Sequence, residues 1–187
     1  MKEVDVYLFG QILGTHSFLL KDGFLKPDEY SEIKEQSDQA AETCVSHGIP
    51  YVTIDATHDS YLHRHAAINV VSGECRSEHY PGESVEEVMK LMMQETEGLT
   101  ILTQGSGDML YGRRGEEIHR LQPFDITVRS TLGAGDTFKA GCVYALLNGF
   151  SDMETVRFAS ACSAVAISRF PLPLNPPKKD EVNELLR

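Results

Sequence analysis

The chain has 187 residues, 41% of them hydrophobic, and a formal net charge of −11. That length supports one domain with a substantial core, and the acidity argues against nucleic-acid backbones and anionic membrane surfaces as main partners. No apolar stretch approaches a membrane span, and the charges in "MKEVDVYLFG" sit too close to a short apolar run for a signal peptide.

"VDVYLFG" (Val4 to Gly10) is a short apolar run of strand formers ending on glycine and predicts a buried strand. "KDGFLKPDEY" reads as a turn-rich connection, and Glu29 to His47 as a polar helical stretch closing on Gly48. "IPYVTIDA" (Ile49 to Ala56) and "AAINVVS" (Ala66 to Ser72) predict two more strands. Between them, His58, His63 and His65 in "HDSYLHRH" read as solvated loop histidines in preference to a metal set, which needs more partners.

Pro81 to Gly98 carries the clearest helix: Ser84 caps it, Glu87 completes a capping box, and Val85, Val88, Leu91 and Met92 form its apolar face. Met89, Met92 and Met93 read as core packing, and the acid pairs Glu86-Glu87 and Glu116-Glu117 as solvated. "LTILTQ" (Leu99 to Gln104) is a strand, and "DMLYGRRGEEIHRLQ" a hairpin turning at Arg113 to Gly115. Helices follow from Thr137 to Asn148, closing on Gly149, and after Ser151. "PLPLNPP" breaks the chain before a short closing helix in "KKDEVNELLR". Strands alternating with helices imply an α/β fold with a mostly parallel sheet.

Cys44, Cys75, Cys142 and Cys162 form no close pair, which fits a reduced, cytoplasmic protein; Cys142 and Cys162 read as core packers. The stretch "VRSTLGAGDTFKAG" carries the chemistry. Gly133 to Asp136 lies where a polar loop becomes a helix, so free amides and the positive helix end make an anion site there. Asp136 has two readings: a first-turn cap, or a base that takes a proton from a hydroxyl attacking a phosphoryl group held by the loop. The loop's late position and the immediate acid disfavour a Rossmann dehydrogenase, and no histidine partner marks Ser106 or Ser130 as a hydrolase nucleophile.

"STLGAGDTFKAG" resembles the C-terminal signature of the ribokinase/PfkB carbohydrate kinase family, whose final Asp is the catalytic base. "LTQGSGDMLYG" resembles the family's Thr-x-Gly nucleotide segment, and "RFASACSAVAISR" its adenine-lining helix, in the family's order. The resemblance implies a ribokinase-like three-layer sandwich and transfer of the ATP γ-phosphoryl group to a sugar or sugar-like hydroxyl, with Mg2+ on the phosphates. Carried over, Asp136 is the base, with Gly133, Ala134 and Gly135 as anion hole. Thr103, Gly105, Ser106, Gly107 and Ser160 would bind the nucleotide. A small-molecule sugar is the implied partner, and a homodimer is compatible with it.

The chain departs from the family's pattern in several places. Ser130 stands where the family has an Asp that helps hold a monovalent cation, so it offers an oxygen without charge and K+ activation is left open. The Asn-x-x-Glu segment of the Mg2+ network aligns with "SGEC", placing Ser72 and Cys75 there with Glu74 as a substitute carboxylate. Asp108 stands where glycine is common, and Thr15 where the substrate-binding Asp is expected. No Gly-Gly segment or lid is found. The expectation is therefore a single domain: residues 1–38 hold the first strand and a remnant of the substrate half, with a junction near Gln36 to Ala41, and residues 39–187 form the nucleotide and catalytic half. The alternative is a nucleotide-binding, catalytically impaired fragment or pseudokinase-like protein.

Overall fold

A computed structural model describes the backbone at residues 7–8, 27–170 and 175–187, with side chains from Ser37 onwards within those stretches. The elements run β1 (Tyr7–Leu8), α1 (Pro27–Ser46), β2 (Tyr51–Ile54), α2 (Tyr61–His65), β3 (Ile68–Val71), α3 (Gly73–His79), α4 (Val85–Gln94), β4 (Leu99–Gln104), β5 (Gly107–Gly112), β6 (His119–Leu121), α5 (Ala134–Leu147), α6 (Asp152–Ile167) and α7 (Lys179–Leu185). The six strands lie side by side in sequence order. β1 to β4 are parallel, and β5 and β6 are added antiparallel.

Side-chain alternation along the strands builds three layers. Val52, Ile68, Val70, Leu99, Ile101, Met109 and Tyr111 share one face with Phe138 and Cys142 of α5 and Val156 and Ala159 of α6. Val71, Leu102 and Leu110 point the other way, onto Cys75 of α3 and the Val88, Met89, Met92 and Met93 stripe of α4. Tyr51 packs with Ala41 and Cys44 of α1 on that second side. The mostly parallel α/β sandwich expected from the alternation of elements is therefore present.

Helix ends follow their sequence signals closely. Ser84 Oγ accepts from the Glu87 amide while the Glu87 carboxylate accepts from the Ser84 amide, the reciprocal box expected for α4; Ser151 and Glu154 repeat it at α6. Gly149 stands one residue past the α5 cap at φ +67°. Its amide donates to Leu146 O and that of Phe150 to Ala145 O, closing a Schellman turn.

Several expectations need correction. The helix within Pro81 to Gly98 starts after its Ser84 cap as expected but stops at Gln94. The histidine stretch 58–65, read as a loop, holds α2, and α3 follows β3 where no element was predicted; each is begun by a serine N-cap, Ser60 and Ser72. His63 is fully buried and its Nε2–H donates to Met92 O at 2.9 Å, so it is a core histidine and not a solvated one. Glu86 is not merely solvated but pairs with Arg120. Thr15 and the Pro-Leu-Pro-Leu break lie outside the described residues, as does the Val4 to Gly10 strand apart from Tyr7–Leu8. Among the described residues no helix is long and apolar enough to cross a membrane.

Candidate active site

The carboxyl ends of β2, β3 and β4 meet the N-termini of α3 and α5, the place where open α/β sheets take their ligands. Each strand end is fixed by a local bond. Asp55, just past β2, takes the left-handed conformation at φ +55°, unusual for a residue with a Cβ. Its amide donates to Val70 O at 2.8 Å, and its Oδ1 accepts from the Ser72 amide at 2.7 Å. Ser72 Oγ in turn accepts from the Cys75 amide, capping α3. A Cβ on Gly73 would stand 3.3 Å from Thr103 O, so α3 starts hard against the end of β4.

The loop before α5 is anchored to α6. The amides of Arg129 and Ser130 both donate to Ile167 O, at 2.7 and 3.2 Å, and Ser163 Oγ donates to Ala134 O at 3.1 Å. Gly133 is the α5 N-cap at φ +78°, a conformation that glycine takes without strain, and it supplies no capping side chain. Ala134 turns its amide to Thr131 O. Among the described residues, the Gly135 and Asp136 amides have no such acceptor, so they are the open donors of the first turn. Asp136 is exposed in that turn.

Beside this turn lies a cavity of about 730 Å³. Its wall includes Thr103 near the end of β4, Gly105 and Ser106 from the β4–β5 turn, Ala134 and Gly135 from α5, and Ser160 from α6. With Ser72, which also lines it, seven of the residues singled out in the sequence are thus brought together. Gly107 begins β5 outside the wall, and Gly133, Asp136, Ser130 and Glu74 also lie outside it. Sequence reasoning missed much of the apolar wall: Phe124, Ile126 and Val128 come from the segment between β6 and α5, which has no periodicity to betray it. It also missed Asp55 and the buried Lys139.

Ser130 Oγ accepts from the Leu132 amide at 3.3 Å. Cys75 is buried, and burial pushes its thiol up to about 12, so it stays protonated and is a poor metal ligand at neutral pH. Glu74 is exposed in the first turn of α3. Among the described residues no three carboxylate, imidazole or thiol groups converge. Glu74 is a single hard oxygen donor, of the kind that a Mg2+ ion takes alongside phosphate oxygens.

Residues 37–175 match the pfkB family carbohydrate kinase. The 5-dehydro-2-deoxygluconokinase of Bacillus subtilis (strain 168) is 28% identical over 111 residues, 58% of this chain and 34% of that protein. The ribokinase of the same strain is 28% identical over 170 residues, 83% of this chain and 53% of that protein. Arabidopsis thaliana ribokinase, in its structure complexed with ribose and ATP, superposes with a TM-score of 0.74 at 20% identity, covering 98% of this chain and 56% of that one. The fold is therefore ribokinase-like, and the chain spans between 34% and 56% of the length of these proteins. The chain belongs to the pfkB family of carbohydrate kinases.

Proposed function

We propose that the chain transfers the γ-phosphoryl group of ATP to a hydroxyl of a sugar or sugar derivative. The observation that carries this reading is the placement of Asp136 and the two open amides of Gly135 and Asp136 in one helical turn, beside a cavity walled by Thr103, Gly105 and Ser160. The cavity would take the nucleotide, its apolar wall of Phe124, Ile126 and Val128 against the base. The open amides would face the phosphoryl oxygens, where fixed donors and the helix dipole stabilise charge as it spreads in the transition state. Asp136, outside the cavity wall, would accept the proton of the attacking hydroxyl. Glu74 and the phosphates would hold Mg2+, which supplies charge neutralisation on the phosphate oxygens.

Ser130 is uncharged and already accepts the Leu132 amide, so transfer is expected to proceed without K+. Four free thiols accord with a cytoplasmic, reducing setting. A second reading, nucleotide binding without transfer, is favoured by one feature. Ser72 and Cys75 stand at the Asn-x-x-Glu positions, and both are spent on capping and core packing of α3. Measuring ADP release with a panel of pentoses, hexoses and their acid and phosphate derivatives separates the two. Acceptor-dependent release supports the kinase, and tight ATP binding with no release from any acceptor supports the second reading.

A further inference from the structure

Phe124 belongs to two neighbourhoods. It lines the cavity beside the first turn of α5. It also packs against the apolar cluster formed by Phe158, Ala161 and Val165 of α6 and Val182 of α7. One aromatic side chain therefore joins the cavity wall to the closing helix of the chain, although α7 itself contributes no residue to that wall.

The link matters because of how the wall is held. Phe124, Asp125, Ile126 and Val128 follow one another along it. Among the described residues, no hydrogen bond fixes a backbone group from Phe124 to Val128. The first fixed point after them is the Arg129 amide on Ile167 O. Backbone groups without protein partners bond to water and do not set the position of the chain. Side-chain packing must place this segment, and of the four wall residues Phe124 is the one seated in an apolar cluster.

α7 is fastened at both ends. The Arg169 guanidinium, past the end of α6, donates to both carboxylate oxygens of Glu181 at 3.2 and 2.9 Å, and the Lys178 amide donates to the same carboxylate at 2.8 Å. Such a fork fixes direction as well as distance. At the other end Arg157 of α6 donates to Leu186 O at 2.9 Å. Between the two ends Val182, 2% exposed, is the α7 side chain that completes the cluster.

We propose that α7 belongs to the nucleotide site: Val182 is a positioning residue that keeps Phe124, and with it the unbonded wall from Phe124 to Val128, in place against the nucleotide base. The inference rests on the reading of the cavity as the nucleotide site. The packing link between Phe124 and α7 does not.

Calorimetry of ATP with Mg2+ on the full chain tests this. Val182→Ala should weaken ATP binding by about 5–20-fold, within the ordinary range of coupling between sites. Val88→Ala, the same truncation at a fully buried position on the opposite face of the sheet, should leave the affinity native. In a Phe124→Ala background Val182→Ala should add little, because the side chain that carries the effect is gone. In steady-state kinetics the KM for ATP should rise with kcat nearly unchanged, since no reacting group is touched. Glu181→Gln, which removes the charge partner of Arg169, serves in place of Val182→Ala if the latter does not fold. Native affinity in Val182→Ala, an equal loss in Val88→Ala, or full additivity with Phe124→Ala would overturn the proposal and leave the nucleotide reading standing. A native chain that binds no ATP would overturn that reading instead. Hydrogen exchange then decides the packing link: Phe124→Ala should speed exchange of the α7 amides, and unchanged rates there would overturn it too.

Discussion

The Cα of Ala159 stands 2.8 Å from the point where a Cβ on Gly141 would be, so α5 and α6 meet backbone to backbone. The Cβ atoms of Ala159 and Cys162 lie 3.2 and 3.4 Å from the same point, closing the contact on both sides. This approach sets the separation between the turn that carries Asp136 and the helix that carries Ser160. Any side chain at Gly141 must push the helices apart. Gly141→Val is expected to cost about 1–3 kcal/mol or more through overpacking, read from urea unfolding, and to weaken ATP binding in step.

Ser160 lies 6% exposed in α6 and faces the cavity. Ser160→Leu should fill that space, lowering ATP affinity in calorimetry by at least about tenfold, or 1.4 kcal/mol. The unfolding midpoint should stay near native, because the added methyls enter a void and displace no packed neighbour. Native affinity in this variant would place the nucleotide elsewhere.

His63 gives stability a pH dependence. Its Nε2–H donates to Met92 O, its Nδ1 has no partner, and it is fully buried. Burial holds its pKa below the ordinary 6.5, reinforced by His58 and Arg64 and opposed by the Met92 carbonyl and Glu95. The unfolded chain therefore takes up this proton at higher pH than the folded one. Stability from this site is complete above about pH 6.5 and falls as pH drops from there towards the folded pKa, with a slope of at most about 1.4 kcal/mol per pH unit. Urea midpoints between pH 7.5 and 5 should show the fall, and His63→Gln should flatten it.

Arg113 forks onto Asp152 at 2.7 and 2.8 Å and also donates to Glu97 O, tying the hairpin after β5 to the start of α6. Both charged side chains are about one-third exposed, at 37% and 32%, so solvent weakens the pair. Arg113→Met is expected to cost only about 1 kcal/mol in urea unfolding.

Local signals carried the parts of this fold that local chemistry determines. The Ser84–Glu87 box, the Gly149 stop and the apolar runs of β2, β3 and β4 all lie where their residues point. α2 and α3 were not legible because five and seven residues are too few to show a helical period, although Ser60 and Ser72 are cap residues in plain view. His63 could not be placed from "HDSYLHRH", because its burial depends on α4, some thirty residues away. The glycine loop and the β4–β5 turn announced one side of the cavity. Phe124, Ile126 and Val128 gave no warning, because an irregular segment acquires its role only from what it lies against. Lys139 gives no sign of its burial in the sequence, because that depends on what α5 packs against.

The central claim is that Asp136 serves as base in phosphoryl transfer to a sugar hydroxyl. The most direct measurement follows the γ-phosphoryl group by phosphorus NMR in samples of native chain and Asp136→Asn, each with Mg2+, ATP and the acceptor panel. Calorimetry on the same samples reports ATP binding. The expected result is a sugar phosphate from the native chain, a rate lower by about 10²–10⁴-fold in Asp136→Asn, and ATP affinity alike in both. Equal rates in the two chains, or no sugar phosphate from a native chain that binds ATP, would contradict it.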